Sequence, residues 1–234
     1  MRIVLLDASG NICRLWKQEL RRLKKEVVDA MRWGDEKLEV SVFNGDIEEL
    51  KLDTNKETKK ETVFFSPGNS FGGMGGGYDR ALACLFSDTG DWKTTDRYVK
   101  KWIVENSQGY SAPGTARLIR INTPNSTAWR KYRASAILHI PTMRTPESLA
   151  FSDEQTIQSV FDWTWQSLVR VRTEPSVDVF VLTGMGTGTG GLAEWLVCRV
   201  MVAAIAMFGN RMGKEVLSYL DSPHRSIIEK KLYD

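Results

Sequence analysis

The chain is poor in the residues that build metal centres and disulfide frameworks. Its 234 residues include only two histidines and three cysteines. His139 and His224 do not form a ligand motif, and Cys13, Cys84 and Cys198 lack the paired spacing of a zinc knuckle. An odd, scattered set of thiols also argues against a disulfide scaffold and for reduced cysteines in an intracellular protein. No metal and no cofactor are therefore expected. Charge of one sign is scarce as well. A net charge of +3 is too small to point to a nucleic-acid partner. Long apolar runs are missing. Met1–Asp7 is too short for a signal peptide. Leu192–Phe208 is broken by Glu194 and Arg199 and falls short of the roughly 20 apolar residues of a membrane span, so it reads as a buried helix. A soluble protein with no membrane contact, cytoplasmic and extending to the nucleus, is the expectation.

What the chain has is glycine in two clusters. The first runs Ser66-Pro-Gly-Asn-Ser-Phe-Gly-Gly-Met-Gly-Gly-Gly-Tyr-Asp-Arg80, and the second Thr183-Gly-Met-Gly-Thr-Gly-Thr-Gly-Gly191. Each follows a short apolar run and precedes a helix-like segment. Glycine at such a junction permits positive φ and close backbone approach. The bared N–H groups and the helix N-terminus attract an anion. Two such loops suit a ligand with several anionic or hydroxyl groups, such as a diphosphate-containing nucleotide.

The apolar periodicity predicts strands at Arg2–Leu6, Leu38–Phe43, Thr62–Phe65, Ala116–Ile121, Ala134–Ile140 and Val177–Leu182. It predicts one helix from Ile12 to Met31, whose basic residues Arg14, Lys17, Arg21, Arg22, Lys24 and Lys25 read as a solvated face. Further helices are predicted at Tyr78–Phe86, Asp91–Glu105, from the capping box Ser152–Gln155 onward, at Leu192–Phe208, and after Ser222-Pro223. Lys51–Glu61 reads as a surface loop and Pro124–Ser126 as a polar turn. Strands alternating with helices imply an α/β fold with a mostly parallel sheet covered on both faces. No linker or internal repeat divides residues 1–234, so one domain is expected. Ligands of such sheets sit at the carboxyl ends of the strands, where both glycine clusters begin.

Gly186-x-Gly188-x-x-Gly191 satisfies the dinucleotide fingerprint literally, but it comes late in the chain and lacks the ribose-binding acid at the usual distance. No P-loop motif is present. The ordered set Asn44-Gly-Asp-Ile47, Ser66-Pro-Gly-Asn69, Gly75-Gly-Gly-Tyr-Asp79 and Gly184–Gly191 resembles macro domains, which are ADP-ribose-binding modules with a three-layer α/β/α fold and a mixed, mostly parallel central sheet. The resemblance covers about residues 38 to 208. The wording Pro67-Gly-Asn-Ser-Phe71 and the segment Pro141–Trp165 are similar to a fungal branch associated with ADP-ribose 1''-phosphate processing.

The resemblance implies roles for named residues. Asp46 would accept from the adenine amino group and the Ile47 N–H would meet the ring; Gly45-Asp46 is equally readable as a helix-capping turn. Gly68 and Asn69 would meet the distal ribose, the latter through its carboxamide, although an Asn beside glycine is commonly a turn residue. Gly75, Gly76 and Gly77 would pass under the distal ribose and a phosphate. Gly184, Met185, Gly186, Thr187, Gly188, Thr189 and Gly190 would wrap the diphosphate, and Leu192 stands where many macro domains place an aromatic. Asp79, kept ionised by its helix dipole, would orient or deprotonate a water. His139 is readable as a core histidine or as a general acid. Some hydrolytic relatives carry a histidine where this chain has Ala83. The resemblance thus implies hydrolysis of ADP-ribose 1''-phosphate, with Asn69, Asp79 and His139 as the catalytic set. The alternatives are a non-catalytic reader of ADP-ribose or of ADP-ribosylated proteins, and a hydrolase of ADP-ribosyl esters or acylated ADP-ribose.

Overall fold

The computed structural model describes residues 1–52 and 60–234; most of the expected Lys51–Glu61 loop lies outside the described residues. Strand β1 (Arg2–Asp7) leads into helices α1 (Gly10–Arg22) and α2 (Lys25–Ala30), a hairpin of two short strands, β2 (Arg32–Trp33) and β3 (Glu36–Lys37), and β4 (Glu39–Asn44). A single 3-10 turn at Ile47–Glu49 precedes β5 (Glu61–Ser66), which enters the first glycine loop. Then come α3 (Gly77–Phe86), α4 (Trp92–Ser107), β6 (Arg117–Arg120), α5 (Thr127–Tyr132), β7 (Ala134–His139), α6 (Asp153–Arg172) and β8 (Val177–Leu182). The second glycine loop follows, then α7 (Glu194–Gly209), α8 (Val216–Leu220) and α9 (Ser222–Leu232).

Six strands form one sheet in the order β4-β1-β8-β5-β7-β6. All neighbours are parallel except β6, which runs antiparallel to β7 at one edge. This is the mixed, mostly parallel α/β/α arrangement the sequence implies. Side chains alternate faces along a strand. In β1, Ile3 and Leu5 join the apolar layer built with α1, α6 and α7, whereas Val4 and Leu6 join the layer built with α3, α4 and α5. Both faces are therefore dry, and continuous apolar runs such as Phe180-Val-Leu182 are explained by burial on each side. Among the described residues no helix is long and apolar enough to cross a membrane. Helix α7 is buried along nearly all its length because it is sandwiched against α1 and α6.

Three expectations change. The single helix over residues 12–31 is broken at Leu23, whose ψ of 134° is extended. The chain's far end binds there: Lys24 N–H donates to Leu232 O (2.9 Å) and Asp234 N–H to Arg22 O (3.0 Å). The turn at Pro124–Ser126 is followed by α5, for which Ser126 Oγ accepts from Trp129 N–H (3.2 Å) as N-cap. The predicted helix at Leu192 begins at Glu194, since Leu192 N–H is held by Gly186 O (3.0 Å).

Candidate functional site

Strands β5 and β8 are parallel hydrogen-bonded neighbours, so the loops leaving their carboxyl ends emerge on the same edge of the sheet. Both glycine loops line one cleft of about 660 Å³. Asp7 at the end of β1 with Ser9 just beyond it, and Asp46 and Ile47 after β4, extend it to one side; Thr142, Met143 and Pro146 after β7 extend it to the other.

The first loop is shaped by a carboxamide. Asn69 Oδ1 accepts from Phe71 N–H (3.1 Å) and Gly73 N–H (3.3 Å), and Nδ2 donates to Gly73 O (3.1 Å). Met74 N–H is tied to Asp96 Oδ1 (2.8 Å), whose other oxygen takes Lys100 Nζ (2.7 Å). Beyond this anchor Gly75, Gly76 and Gly77 are exposed, and α3 starts without a side-chain cap. Among the described residues the N–H groups of Gly75 to Gly77 find no protein acceptor. They remain for a ligand, with the positive end of α3 behind them.

Asp7 organises the second loop. Its Oδ1 accepts from Ser9 N–H (2.9 Å), and its Oδ2 accepts from Thr183 Oγ1 (3.1 Å) and Gly184 N–H (3.3 Å). A Cβ at Gly190 would fall 2.5 Å from Gly186 O, so the loop is too tight there for any side chain. Gly186 adopts φ +70°, which turns its carbonyl onto Leu192 N–H. The N–H groups of Gly186 through Gly190 likewise find no protein acceptor among the described residues. Such unpaired donors on one concave wall favour a multiply charged anion.

Under the loops lies a buried polar chain. Ser66 Oγ donates to Asp79 Oδ1 (2.8 Å) and stands 3.3 Å from His139 Nδ1, while His139 Nε2 lies 3.2 Å from Asn69 O. A carbonyl can only accept, so Nε2 carries the proton and Nδ1 faces Ser66 as an acceptor. Burial pushes the Asp79 carboxyl up to about 6 against the opposing Ser66 hydrogen bond. Burial also lowers His139 to about 4, with the Asn69 carbonyl acting weakly the other way.

Asp46, Ile47, Gly68, Asn69, Gly75 to Gly77, Asp79, Gly184, Gly186, Thr187, Gly188, Thr189 and Gly190 all lie on the cleft. Met185 and Leu192 do not: the Met185 side chain is buried in the core, where its sulfur accepts from Thr164 Oγ1 (3.6 Å), and Leu192 packs beneath Gly186. Of the two readings of His139, the structure favours the core histidine, since the ring is buried behind Ser66 and burial keeps it neutral at physiological pH. Asp79, raised by burial to about 6, still carries its charge for the most part at pH 7. Asp46 both lines the cleft and heads the 3-10 turn, with its N–H donating to Glu49 Oε2 (3.2 Å). Asp7 and the Ser66 hydroxyl received no role from the sequence, although each residue ends a strand. Among the described residues no cluster of histidine, cysteine and carboxylates is arranged to hold a metal.

A parallel-centred α/β/α sandwich with two glycine loops at its strand ends places the candidate site where α/β sheets commonly take their ligands. The chain belongs to the Macro-like domain family, whose profile matches residues 1–222. It is 24% identical over 180 residues to an uncharacterized protein of Aquifex aeolicus (strain VF5), covering 77% of this chain and 88% of the relative. Its fold is similar to that of an Oceanobacillus iheyensis macrodomain, a glycine-to-valine mutant with ADPR, at TM-score 0.52 and 14% identity over 80% of this chain and 88% of the other.

Proposed function

We propose that the cleft binds ADP-ribose and that the protein hydrolyses ADP-ribose 1''-phosphate to ADP-ribose and phosphate, as in the fungal branch the sequence resembles. The observation that carries this reading is the convergence of two rows of unpaired loop N–H groups on one cleft that also holds the desolvated Asp79 carboxyl. The adenine sits at Asp46 and Ile47, the diphosphate against Gly186 to Gly190, and the distal ribose against Gly68, Asn69 and the Gly75–Gly77 run. Asn69, largely buried but lining the cleft, supplies contacts beyond those it spends on its own loop. We place the protein in the cytoplasm and the nucleus.

In this reading Asp79 takes a proton from a water whose oxygen bonds to phosphorus. The bond from phosphorus to the 1'' oxygen breaks, and that oxygen receives a proton from the Asp79 carboxylic acid. A carboxyl titrating near 6 suits both halves of the transfer. Loop N–H donors neutralise the phosphoryl oxygens. The second reading, recognition of ADP-ribose or ADP-ribosylated proteins without turnover, draws on Ala83. That position, one helical turn after Asp79, is fully buried and offers the cleft no second protic group. A third keeps the hydrolase with an ADP-ribosyl ester or acylated ADP-ribose as substrate.

Calorimetry with ADP-ribose, followed by phosphate release from ADP-ribose 1''-phosphate by wild type and Asp79→Ala, tests the proposal. Binding with turnover that Asp79→Ala abolishes supports it. Binding without turnover supports the reader, and no binding removes all three readings.

A further inference from the structure

A second cavity of about 580 Å³ adjoins the nucleotide cleft and differs from it in charge. Its wall is one face of α1, where Arg14, Lys17 and Arg21 recur at three- and four-residue spacing, with Gln18 and Arg22 beside them. Arg14, Lys17 and Arg21 are exposed, and among the described residues none has a carboxylate within 4 Å. Arg22 differs, being paired with Glu19 (3.0 Å) and lying over the Tyr233 ring. The sequence alone reads this face as solvated. The structure makes it the wall of a groove.

The groove meets the cleft at a thin partition. Asn44 and Gly10 line the groove, while their chain neighbours Gly45 and Ser9 line the cleft. The Asn44 carboxamide forms the ridge between them, its Nδ2 donating to Asp7 O (3.1 Å) and Ala8 O (3.3 Å). Arg14 is held at this ridge by Asn11 Oδ1 (2.8 Å), and Asn11 Nδ2 in turn binds Glu194 on the cleft. From Arg14 to Arg21 the cations extend about 10 Å along the helix axis. That length accommodates one or two phosphate groups outside the cleft.

Resting on the ADP-ribose reading above, the geometry points to the α1 groove as a subsite for a further phosphate carried on the adenosine half of the ligand. With the adenine at Asp46 and Ile47, as proposed above, it lies next to Gly45, and a substituent leaving the adenosine on that side crosses Asn44 into the groove. A phosphate there meets unpaired Lys17 and Arg21 and the oriented Arg14, giving charge-assisted hydrogen bonds that plain ADP-ribose does not make. The same chemistry arises from a 2'-phosphomonoester or from the next diphosphate of a linear ADP-ribose oligomer.

The test compares ADP-ribose, ADP-ribose 2'-phosphate and a linear ADP-ribose dimer by calorimetry, with wild type and Lys17→Ala/Arg21→Ala, at low and high salt. Wild type is expected to prefer at least one phosphate-extended ligand by about tenfold at low salt. That preference shrinks as salt screens exposed charge. The double variant loses the preference and keeps its affinity for plain ADP-ribose within about twofold, because neither residue lines the cleft. A preference confined to the monoester or to the dimer identifies the source of the phosphate. Equal affinity of wild type for all three ligands, or a preference that survives in the double variant, overturns the subsite while leaving ADP-ribose binding intact. Failure to bind plain ADP-ribose would instead remove the underlying reading.

Discussion

Ser66 gives its one hydroxyl proton to Asp79, across 2.8 Å, at the point where β5 ends and the first glycine loop begins. While Asp79 is ionised that proton is committed to the carboxylate, and His139 Nδ1 at 3.3 Å receives none. When Asp79 is protonated the carboxyl donates to Ser66, and Ser66 can donate to His139. The two states of Asp79 thus carry opposite directions of one hydrogen-bond chain. Replacing Ser66 with Ala removes a hydrogen bond that lowers the carboxyl's titration, so Asp79 should titrate above about 6. With ADP-ribose 1''-phosphate as substrate, the acid limb of the rate profile is expected to move to higher pH. An unmoved limb would assign that limb to another group.

His139 and Asp79, joined through Ser66, predict a pH signature in stability. His139 titrates near 6.5 when unfolded and about 4 when buried, so the unfolded chain binds more protons between these values. Its contribution is full above pH 6.5 and falls as pH drops through 4, by roughly 3 kcal/mol at most. Asp79 runs the other way. Its folded value of about 6 lies above the ordinary 3.8, so its contribution is present below 3.8 and is lost as pH rises through 6. Between pH 4 and 6 the two slopes oppose each other. Asp79→Asn keeps an acceptor for Ser66 and removes the buried charge. The variant should melt higher than wild type at pH 8, and its urea-unfolding free energy should fall more steeply from pH 6 to 4.

Gly190→Ala is expected to damage the second loop specifically. The added methyl would press on the Gly186 carbonyl at 2.5 Å and on Leu149 Cδ1 at 3.0 Å, so backbone must shift. The cost in folding free energy should be about 1–3 kcal/mol, typical of overpacking. Loss of ADP-ribose affinity should exceed what that destabilisation causes, because the row of unpaired N–H groups moves with the backbone. Thermal melts with and without ADP-ribose separate the two effects: the ligand-induced shift disappears while the unliganded protein remains folded at 25 °C.

Much of this site was legible because glycine density is itself a backbone instruction. Gly186 at positive φ and Gly190 against a carbonyl have no side-chain alternative, so their pattern survives in the sequence. Period-two and period-3.6 apolar spacing exposed the strands and most helices for the same reason. Asp7 was not legible, since one aspartate after an apolar run reads only as the end of a strand. Its three hydrogen bonds join loops after β1 and β8, which the sequence does not show to be neighbours. For His139 the sequence left a core histidine and a general acid both open, because the choice depends on burial behind Ser66. The break between α1 and α2 is set by Leu232 and Asp234 at the other end of the chain, beyond any local periodicity.

Asn69 supplies the sharpest separation between building the site and touching its ligand. Three of its carboxamide contacts close the first loop, through Phe71 N–H, Gly73 N–H and Gly73 O, and it also lines the cleft. Asn69→Ala removes both functions, so affinity for ADP-ribose should fall by about 1–3 kcal/mol together with some stability. Asn69→Asp retains the acceptor for both loop N–H groups and loses the donor to Gly73 O. It also adds a negative charge beside the proposed phosphate path. If the loop contacts are the main contribution, the aspartate variant should keep most of the thermal stability that alanine loses. If the ligand meets this side chain as proposed, the aspartate variant should nevertheless bind ADP-ribose no better than alanine does. Calorimetry and melting curves on the pair distinguish these cases, and an aspartate variant that binds like wild type would take Asn69 out of the ligand's reach.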